Sequence, residues 1–527
     1  MKEALMGLET EYGIYCDVAR LKSLLGGVEN YVNVVLKQVP KILPENDYCM
    51  AYKSTGEFWT RAGMRLYPDR GTHLEVATGE CGTFSELIFQ KNAGDCLASA
   101  LVNKARKVLR AHPYGYDGPF EIYANNTAVD AEKFFTEHSK SEATFSRHEN
   151  YLLRKDLFTD AFGGRFSYFD FIFENDGHFF AARPLLGGAG HITLEGKFVL
   201  SPRMHWTART VGGGTTHNRA LVNTRDEPHA DGQKFLRYHH IAGDTNITDH
   251  ITKMKMAFTY WVLRLLERGW KAPDWLRIDG TRASESALMG VARDINGDPQ
   301  LGGVHSVGGR NCSAADILMS YLEAVDKHRE KLLFEAEDDE IFLDVASYLE
   351  RAKAGFESLA GESEWATKYD LMLREMRKKK IRTFNDSRLK KLSIVLHNLD
   401  RNPDENPFAE FRARVLPPNM EISDLGKACR QAPKTRAFVR GLAVYLAKRF
   451  GVAITFPTGA EWVSLSTPAD PDGILSTLVS LNRMTPWEIT KDDVEKVVRH
   501  MRQVAMICPK GKSKPAAQEA GEPFYGV

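Results

Sequence analysis

Two glutamates spaced by two, Glu9 and Glu11, lie in a short segment rich in Ile, Leu and Tyr, Leu5 to Tyr15, with Gly7 and Gly13 near its ends. That composition predicts a strand. In a strand a spacing of two sends both carboxylates to one face, and a buried face holds two like charges only with a cation between them. The second concentrated segment runs from Arg65 to Thr78 and supplies Arg65, Tyr67, Asp69, His73, Glu75 and Thr78, beside Gly71, which permits an unusual backbone angle. Such oxygen donors suit Mg²⁺, whose coordination is usually completed by phosphate oxygens and water, and the Arg65 guanidinium suits a phosphate fork. Polar residues at a strand end account for the same composition, and residue types alone leave both readings open.

A third cluster, Asn223 to Asp231, follows Gly212-Gly213-Gly214-Thr215-Thr216. No Gly-Lys-Ser/Thr comes after those glycines and no dinucleotide fingerprint sits between a strand and a helix, so any nucleotide is held in another way. The glycines by themselves read as a tight turn. A fourth cluster, Arg147 to Tyr151, places His148 next to Glu149, and adjacent residues of a regular strand face opposite ways. His148 alone reads as a hydrogen-bonded core histidine.

Elements must hold these groups. Helical spacing of apolar residues predicts helices over Gly82 to Arg110 and Ile251 to Arg268, the latter stopped by Gly269, and Phe120 to Tyr123 reads as a strand. Between Arg165 and Arg183 an aromatic run of alternating character surrounds Asn175-Asp176-Gly177, which predicts a hairpin. Ala314 to Arg401 is mostly helical by period, and its charge run Arg374 to Lys380 reads as a solvated face. Pro403, Pro407, Pro417 and Pro418 then punctuate the chain. The expected division is residues 1–424 as a catalytic domain, 425–509 as a small C-terminal domain and 510–527 as a flexible tail.

The chain has 527 residues, 70 Lys+Arg against 69 Asp+Glu, 43% hydrophobic and 26% charged, which excludes disordered and fibrous classes. A net charge of +1 provides no global field for nucleic acid or anionic membrane, so neither is expected as a partner. Seven scattered cysteines offer no metal knuckle and read as reduced thiols. Acids near the start and the lack of a long charge-free apolar stretch place the expected location in the cytoplasm.

Taken together, the clusters resemble the Pup ligase and Pup deamidase (depupylase) family, relatives of glutamine synthetase and other carboxylate-amine ligases. The resemblance rests on Met6 to Gly13, Arg65 to Cys81, Ser146 to Leu152, Leu200-Ser201 with Arg203, Asn223 to Asp231, Gly243 to Asn246 and Gly308 to Arg310. It implies an α+β fold: a glutamine-synthetase-like curved, mainly antiparallel sheet backed by helices, with a small C-terminal domain. It further implies Mg²⁺ on Glu9, Tyr67 and Glu75, ATP contacts from Arg65, Thr78 and Trp462, and Asp69 as the catalytic aspartate. Arg225, from the third cluster, is added to the expected nucleotide contacts.

The implied activity is ATP-dependent joining of the C-terminal glutamate side chain of a small disordered modifier, Pup or a Pup-like protein, to protein lysines through an acyl phosphate. The alternatives are hydrolysis of the modifier's terminal amide or isopeptide bond, or an idle adaptor for tagged proteins. Ala77-Thr78, the opening Gly-Leu-Glu-Thr-Glu and the modest connection between the first strand and Arg65 favour the ligase branch. Departures from the family pattern are Leu74 and Val76, the extra sequence from Ala128 to Phe145, and the aromatic run around Asn175.

Overall fold

The computed structural model describes residues 4–26, 31–50, 56–69, 73–124, 126–128, 143–162, 167–215, 218–227, 230–400, 407–408, 411, 428, 431–450, 453–455, 462–466, 479–480 and 489–507. The expected tail 510–527, the prolines 403, 417 and 418, and most of the 128–145 stretch lie outside the described residues.

An antiparallel sheet organises the chain around its first strand. Strand β1 (Met6–Cys16) is followed by β2 (Tyr48–Met50), β3 (Phe58–Thr60), β4 (Arg65–Asp69), β5 (His73–Ala77) and β6 (Phe120–Tyr123). Next come a two-stranded ribbon of β7 (Asn126–Ala128) and β8 (Ala143–Phe145), strand β9 (Arg147–Arg154) and, later, the strand Phe235–His240. On one side β1 pairs with β5, which continues through β4 and β3 to β2; on the other it pairs with β9, which pairs with Phe235–His240, while its second half pairs with β6. The alternation of β1 puts Leu8, Thr10 and Tyr12 on the back, where all three are buried, and Glu9 and Glu11 on the front.

Two long helices cover the back. The helix Phe84–Arg110 starts where the Thr83 hydroxyl accepts the Glu86 amide, and its buried side includes Leu87, Leu97, Leu101, Ala105 and Leu109. Gly94 lets it lie close to the sheet, since a Cβ there would stand 3.3 Å from a methyl of Val76 on β5. The helix Asp249–Glu267 buries nearly every residue from Ile251 onward, as its wide apolar stripe requires. Helices also fill much of 314–395, and Arg374, Arg377, Lys378, Lys379 and Lys380 are exposed as expected.

The hairpin expected around Asn175 is absent: Tyr168–Ala182 is one helix, capped by Ser167. Its sequence looks strand-like because packing surrounds it, with eleven residues buried, so no polar face marks a helical period. Packing also overrides the Asn-Asp-Gly turn signal. The Asn175 amide donates to the Phe171 carbonyl and its oxygen accepts from the Ala272 amide, while Gly177 sits where a Cβ would meet Leu288 at 2.9 Å.

The helix Arg436–Phe450 packs on β2 and β3, sharing a cluster of Cys49, Trp59, Val439, Leu442, Ala443 and Ile454. No helix among the described residues is long and apolar enough to cross a membrane. The described cysteines are free thiols.

Candidate functional site

The front of the sheet collects the chemistry because register lines up alternate residues. Glu9 lies opposite Ala77, and Ala77 opposite Arg65; Glu11 lies opposite Glu75, and Glu75 opposite Tyr67; Asp69 lies opposite His73. On the other flank Glu9 lies opposite His148, and the next front residue of β9, Asn150, opposite His239. Residues far apart in sequence therefore share one surface, on strands too short to slip without turning every acid to the back.

Two groups on this surface have the spacing of metal ligands. Carboxylate oxygens of Glu11, Asp69 and Glu75 fall within 4.8 Å of one another, and so do an oxygen of Glu9 and ring nitrogens of His148 and His239. Burial, reinforced by the negative charges of Glu9 and Glu11, pushes the Glu75 carboxyl well above the usual carboxylate range. Burial acts the same way on Glu9, but the Arg237 guanidinium and the two histidine rings outweigh it and hold that carboxyl well below the range. Tyr67 hydrogen-bonds Glu75, and burial next to that acid raises its phenol well above 10. Carboxylates held this close, one of them driven toward its neutral form, are what a divalent cation relieves.

His148 belongs to this surface as well as to the interior. Its Nδ1 is 3.6 Å from Glu9 and its Nε2 3.7 Å from Glu11. Arg203 donates from Nη2 to His148 Nε2 at 2.7 Å, so that nitrogen is the acceptor and the ring's proton sits on Nδ1, facing Glu9. Glu149 points to the back, as the strand alternation requires, where burial is outweighed by Arg183 and Lys255 and its carboxyl titrates at about 2.

Beside the acids opens a pocket whose walls include Gly7, Glu9, Arg65, Tyr67, Thr78 and Arg237. Arg65 pairs with Glu57 at 2.9 Å, and its guanidinium lies 4.1 Å from the centroid of the Tyr67 ring. The Thr78 hydroxyl accepts the Leu8 amide at 3.0 Å, and the Thr78 amide donates to the Leu8 carbonyl, fixing the edge of β1. Arg237 donates to Asn150 at 2.7 Å and reaches Glu9 at 3.4 Å. The Arg436–Phe450 helix closes the far wall: Arg436 and Arg440, one turn apart, both bind Glu80, Arg440 with both terminal nitrogens at 3.0 and 2.7 Å. Glu80 is partly buried, yet those two cations drive its carboxyl far below the usual range.

The expected site residues Glu9, Arg65, Tyr67, Asp69, Glu75 and Thr78 thus converge on one surface. Arg225 stands apart, 49% exposed at its side chain and paired with Glu227 at 2.9 Å. Its cluster works as a bracket: Asp226 accepts the Arg237 amide at 3.0 Å, and Glu227 lies 3.8 Å from the Arg237 guanidinium. Trp462 starts the strand Trp462–Ser466, and its side chain lies outside the described residues. Arg237, His239, Arg436 and Arg440 escaped the sequence reading. Their signals were the period of two through Phe235–His240 and the four-residue spacing of two arginines on a helix.

The model of the Pup-ligase protein family matches residues 4–466. The Pup–protein ligase of Corynebacterium diphtheriae is 28% identical over 514 residues, covering 95% of this chain and 95% of the relative. That of Micrococcus luteus is 28% identical over 489 residues, 89% of this chain and 93% of the relative. Among solved structures, the complex between the prokaryotic ubiquitin-like protein Pup and its ligase PafA superposes with a TM-score of 0.73 at 21% identity, covering 96% of this chain and 93% of that one. PafA in complex with ADP gives a TM-score of 0.67 at 22% identity, covering 85% and 91%.

Proposed function

This chain belongs to the Pup-ligase family, whose model spans residues 4–466, and from that membership we propose that it is an ATP-dependent ligase. It forms an isopeptide bond between the side-chain carboxylate of a C-terminal glutamate on Pup or a Pup-like modifier and a lysine of a protein substrate. The observation that carries the reading is the convergence of Glu9, Glu11, Asp69 and Glu75 on one sheet face beside a pocket walled by Arg65 and Arg237.

The donor set fits Mg²⁺: Glu9, Glu75 and Tyr67 are the residues we assign to hold it, with Glu11 and Asp69 alongside. When bound, the metal neutralises charge on the transferring phosphoryl group. A carboxylate is a poor electrophile, so the γ-phosphoryl of ATP is first moved onto it to give an acyl phosphate and ADP, and the lysine amine then displaces inorganic phosphate to form the amide. Arg65 and Arg237 supply positive charge along the wall where the nucleotide phosphates lie, and Thr78 fixes the edge of β1 against which they rest. The Arg436–Phe450 helix closes the site from the other side, consistent with a nucleotide contact from Trp462 after it.

Asp69 acts in the second step. It stands at the end of β4 within reach of Glu11 and Glu75, where an incoming lysine ammonium meets a strongly negative surface. We assign it to accept the proton that the ammonium loses before attack. The reduced cysteines and the lack of a membrane-crossing helix among the described residues support our placing the reaction in the cytoplasm.

The test is one gel. Incubation with ATP, Mg²⁺, Pup ending in glutamate and a lysine-bearing protein yields a new ATP-dependent conjugate. Cleavage of a preformed conjugate without any synthesis would make the chain a hydrolase, and binding of conjugates with neither reaction would make it an adaptor.

A further inference from the structure

We propose that Arg147 is a positioning residue for the acid cluster: from the back of the sheet it fixes the chain on either side of Glu11, so that the Glu11 carboxylate is presented to the metal ion. This rests on the metal assignment made above and deepens it to what holds the ligand set in shape.

Glu11 sits at a break in the ladder. On one flank β1 pairs with β9 as far as Thr10 opposite Arg147, and with β6 from Gly13 opposite Tyr123 onward. Glu11 and Tyr12 fall in the gap. There the Glu11 amide donates to the Ser146 carbonyl at 3.0 Å and the Ser146 amide donates to the Glu11 carboxylate at 3.1 Å, so the residue before Arg147 orients the acid directly. Arg147 faces the back, since His148 faces the front, and it is fully buried. Its guanidinium spans three elements: Nε donates to the Thr10 hydroxyl at 2.8 Å, Nη2 to Asp95 of the helix Phe84–Arg110 at 3.0 Å, and Nη1 to the Asn246 carbonyl at 2.9 Å. The Tyr12 hydroxyl donates to the same Asp95 oxygen at 2.6 Å. The two back residues that flank Glu11 are thus tied to one carboxylate, Tyr12 directly and Thr10 through Arg147.

Stability alone does not account for this arrangement. Taking a guanidinium and a carboxylate out of water costs about as much as their attraction returns, and apolar replacements of such buried pairs are often neutral or stabilising. What a rigid fork of five donors supplies is a fixed relation among its acceptors, which the single point of an ammonium does not reproduce. The anchor itself stays charged: burial of Asp95 is outweighed by Arg147 and Lys91, which hold its carboxyl below the usual range. Lys91 lies 3.4 Å from Asp95 and donates to the Ile247 carbonyl at 2.9 Å, so the clamp closes on the same loop that Arg147 reaches at Asn246. Glu11 shares with Asp69 and Glu75 the spacing of metal ligands, and hydrogen-bonded supports behind such ligands set their orientation and with it the affinity for the ion.

The probe is Mn²⁺, bound to the full chain with ADP present and followed by electron paramagnetic resonance, with Glu75→Gln marking the ion that belongs to the acid cluster. Thr10→Val removes the hydroxyl that Arg147 holds and keeps the shape, and it should weaken that ion on the order of 10-fold or more, the effect of losing the hydrogen-bonded support of a ligand. Thr10→Ser restores the acceptor and should bind Mn²⁺ as the parent does. Arg147→Lys keeps the charge beside Asp95 but not the span to Thr10 and Asn246, and should lose a similar factor. Melting temperatures of the same variants separate this from a role in the fold, which would lower stability and leave the ion unaffected. Parental Mn²⁺ affinity in Thr10→Val overturns the inference while leaving the metal assignment intact. A Thr10→Ser as weak as Thr10→Val overturns it too, by assigning the loss to packing. Should Thr10→Val not fold, Arg147→Lys decides, and parental affinity in that variant overturns the inference equally. A parent whose Mn²⁺ binding is untouched by Glu75→Gln overturns the metal assignment itself, and the inference with it.

Discussion

Glu75 is the residue on which the metal assignment turns, because its carboxyl is buried between two other acids and is driven toward the neutral form. A cation there must displace that proton. Mg²⁺ affinity should therefore rise with pH from the ordinary carboxylate range up to the raised value and level off above it, and Glu75→Gln should abolish the slope; Mg²⁺ titrations at several pH values measure this. Glu9→Gln should weaken nucleotide binding in Mg²⁺ by at least about tenfold while the fold survives, since the change removes charge but little volume. Parental affinity would remove Glu9 from the metal shell. Asp69→Asn separates the two steps of the reaction. It should keep nucleotide binding and lower conjugation by roughly 10²- to 10⁴-fold, the usual contribution of a positioned base. Single-turnover assays with quantified nucleotide binding distinguish this from a metal ligand, whose loss would weaken both.

At the scale of elements, the helix Arg436–Phe450 must lie against the loop between β3 and β4 for Arg436 and Arg440 to reach Glu80. Gly441 permits this: a Cβ there would come within 1.9 Å of the Arg61 carbonyl oxygen, a contact no side chain tolerates. Gly441→Val should therefore shift the helix, cost on the order of 1–3 kcal/mol of stability and weaken nucleotide affinity, without touching any residue in the acid cluster. Nucleotide titration and thermal melts of that one variant test the coupling, and parental values for both would show that the helix is not a wall of the site. The strands have the converse logic. β4 and β5 are five residues each, and their value lies in register: a slip of one residue would bury Leu66 and Leu74 no longer and turn Tyr67 and Glu75 away from Glu11.

At the scale of the whole molecule, Asp176 is a buried group, among the described residues, that opposes the stability of the fold. Asp176 lies in the middle of the Tyr168–Ala182 helix, is fully buried, and neither of its oxygens has a hydrogen-bond partner among the described residues. Burial pushes its carboxyl well above the ordinary range, so the folded chain keeps the proton that the unfolded chain releases near pH 4. With more protons bound folded than unfolded, stability falls as pH rises from that point to the raised folded value. Asp176→Asn keeps the shape and removes the ionisation. It should stabilise the protein at neutral pH by about 1–3 kcal/mol and flatten this part of the profile, measured by denaturant unfolding between pH 4 and 8. A variant less stable than the parent at pH 7 would mean that Asp176 is held as an anion.

Local spacing determined much of this protein. The period of two in Leu5 to Tyr15 set Glu9 and Glu11 on one face and helical spacing set the two long helices, because each of these depends on neighbours along the chain, whereas the residue types of Arg65 to Thr78 offered the donors of a metal and phosphate site and left a polar strand end equally open. Tertiary structure decided what depends on neighbours in space. Which acids share an ion is fixed by pairing β1 with β5 and β9, and Arg237 and His239 join them from a strand more than two hundred residues away. The Asn175 helix was misread because a helix packed on all sides loses the polar face that would reveal its period. Arg203, whose segment carries part of the resemblance, and Arg219 show the same division: the sequence does not tell that both guanidiniums meet on the carbonyl of Thr144, because that meeting exists only once the ribbon strand is laid beside the sheet.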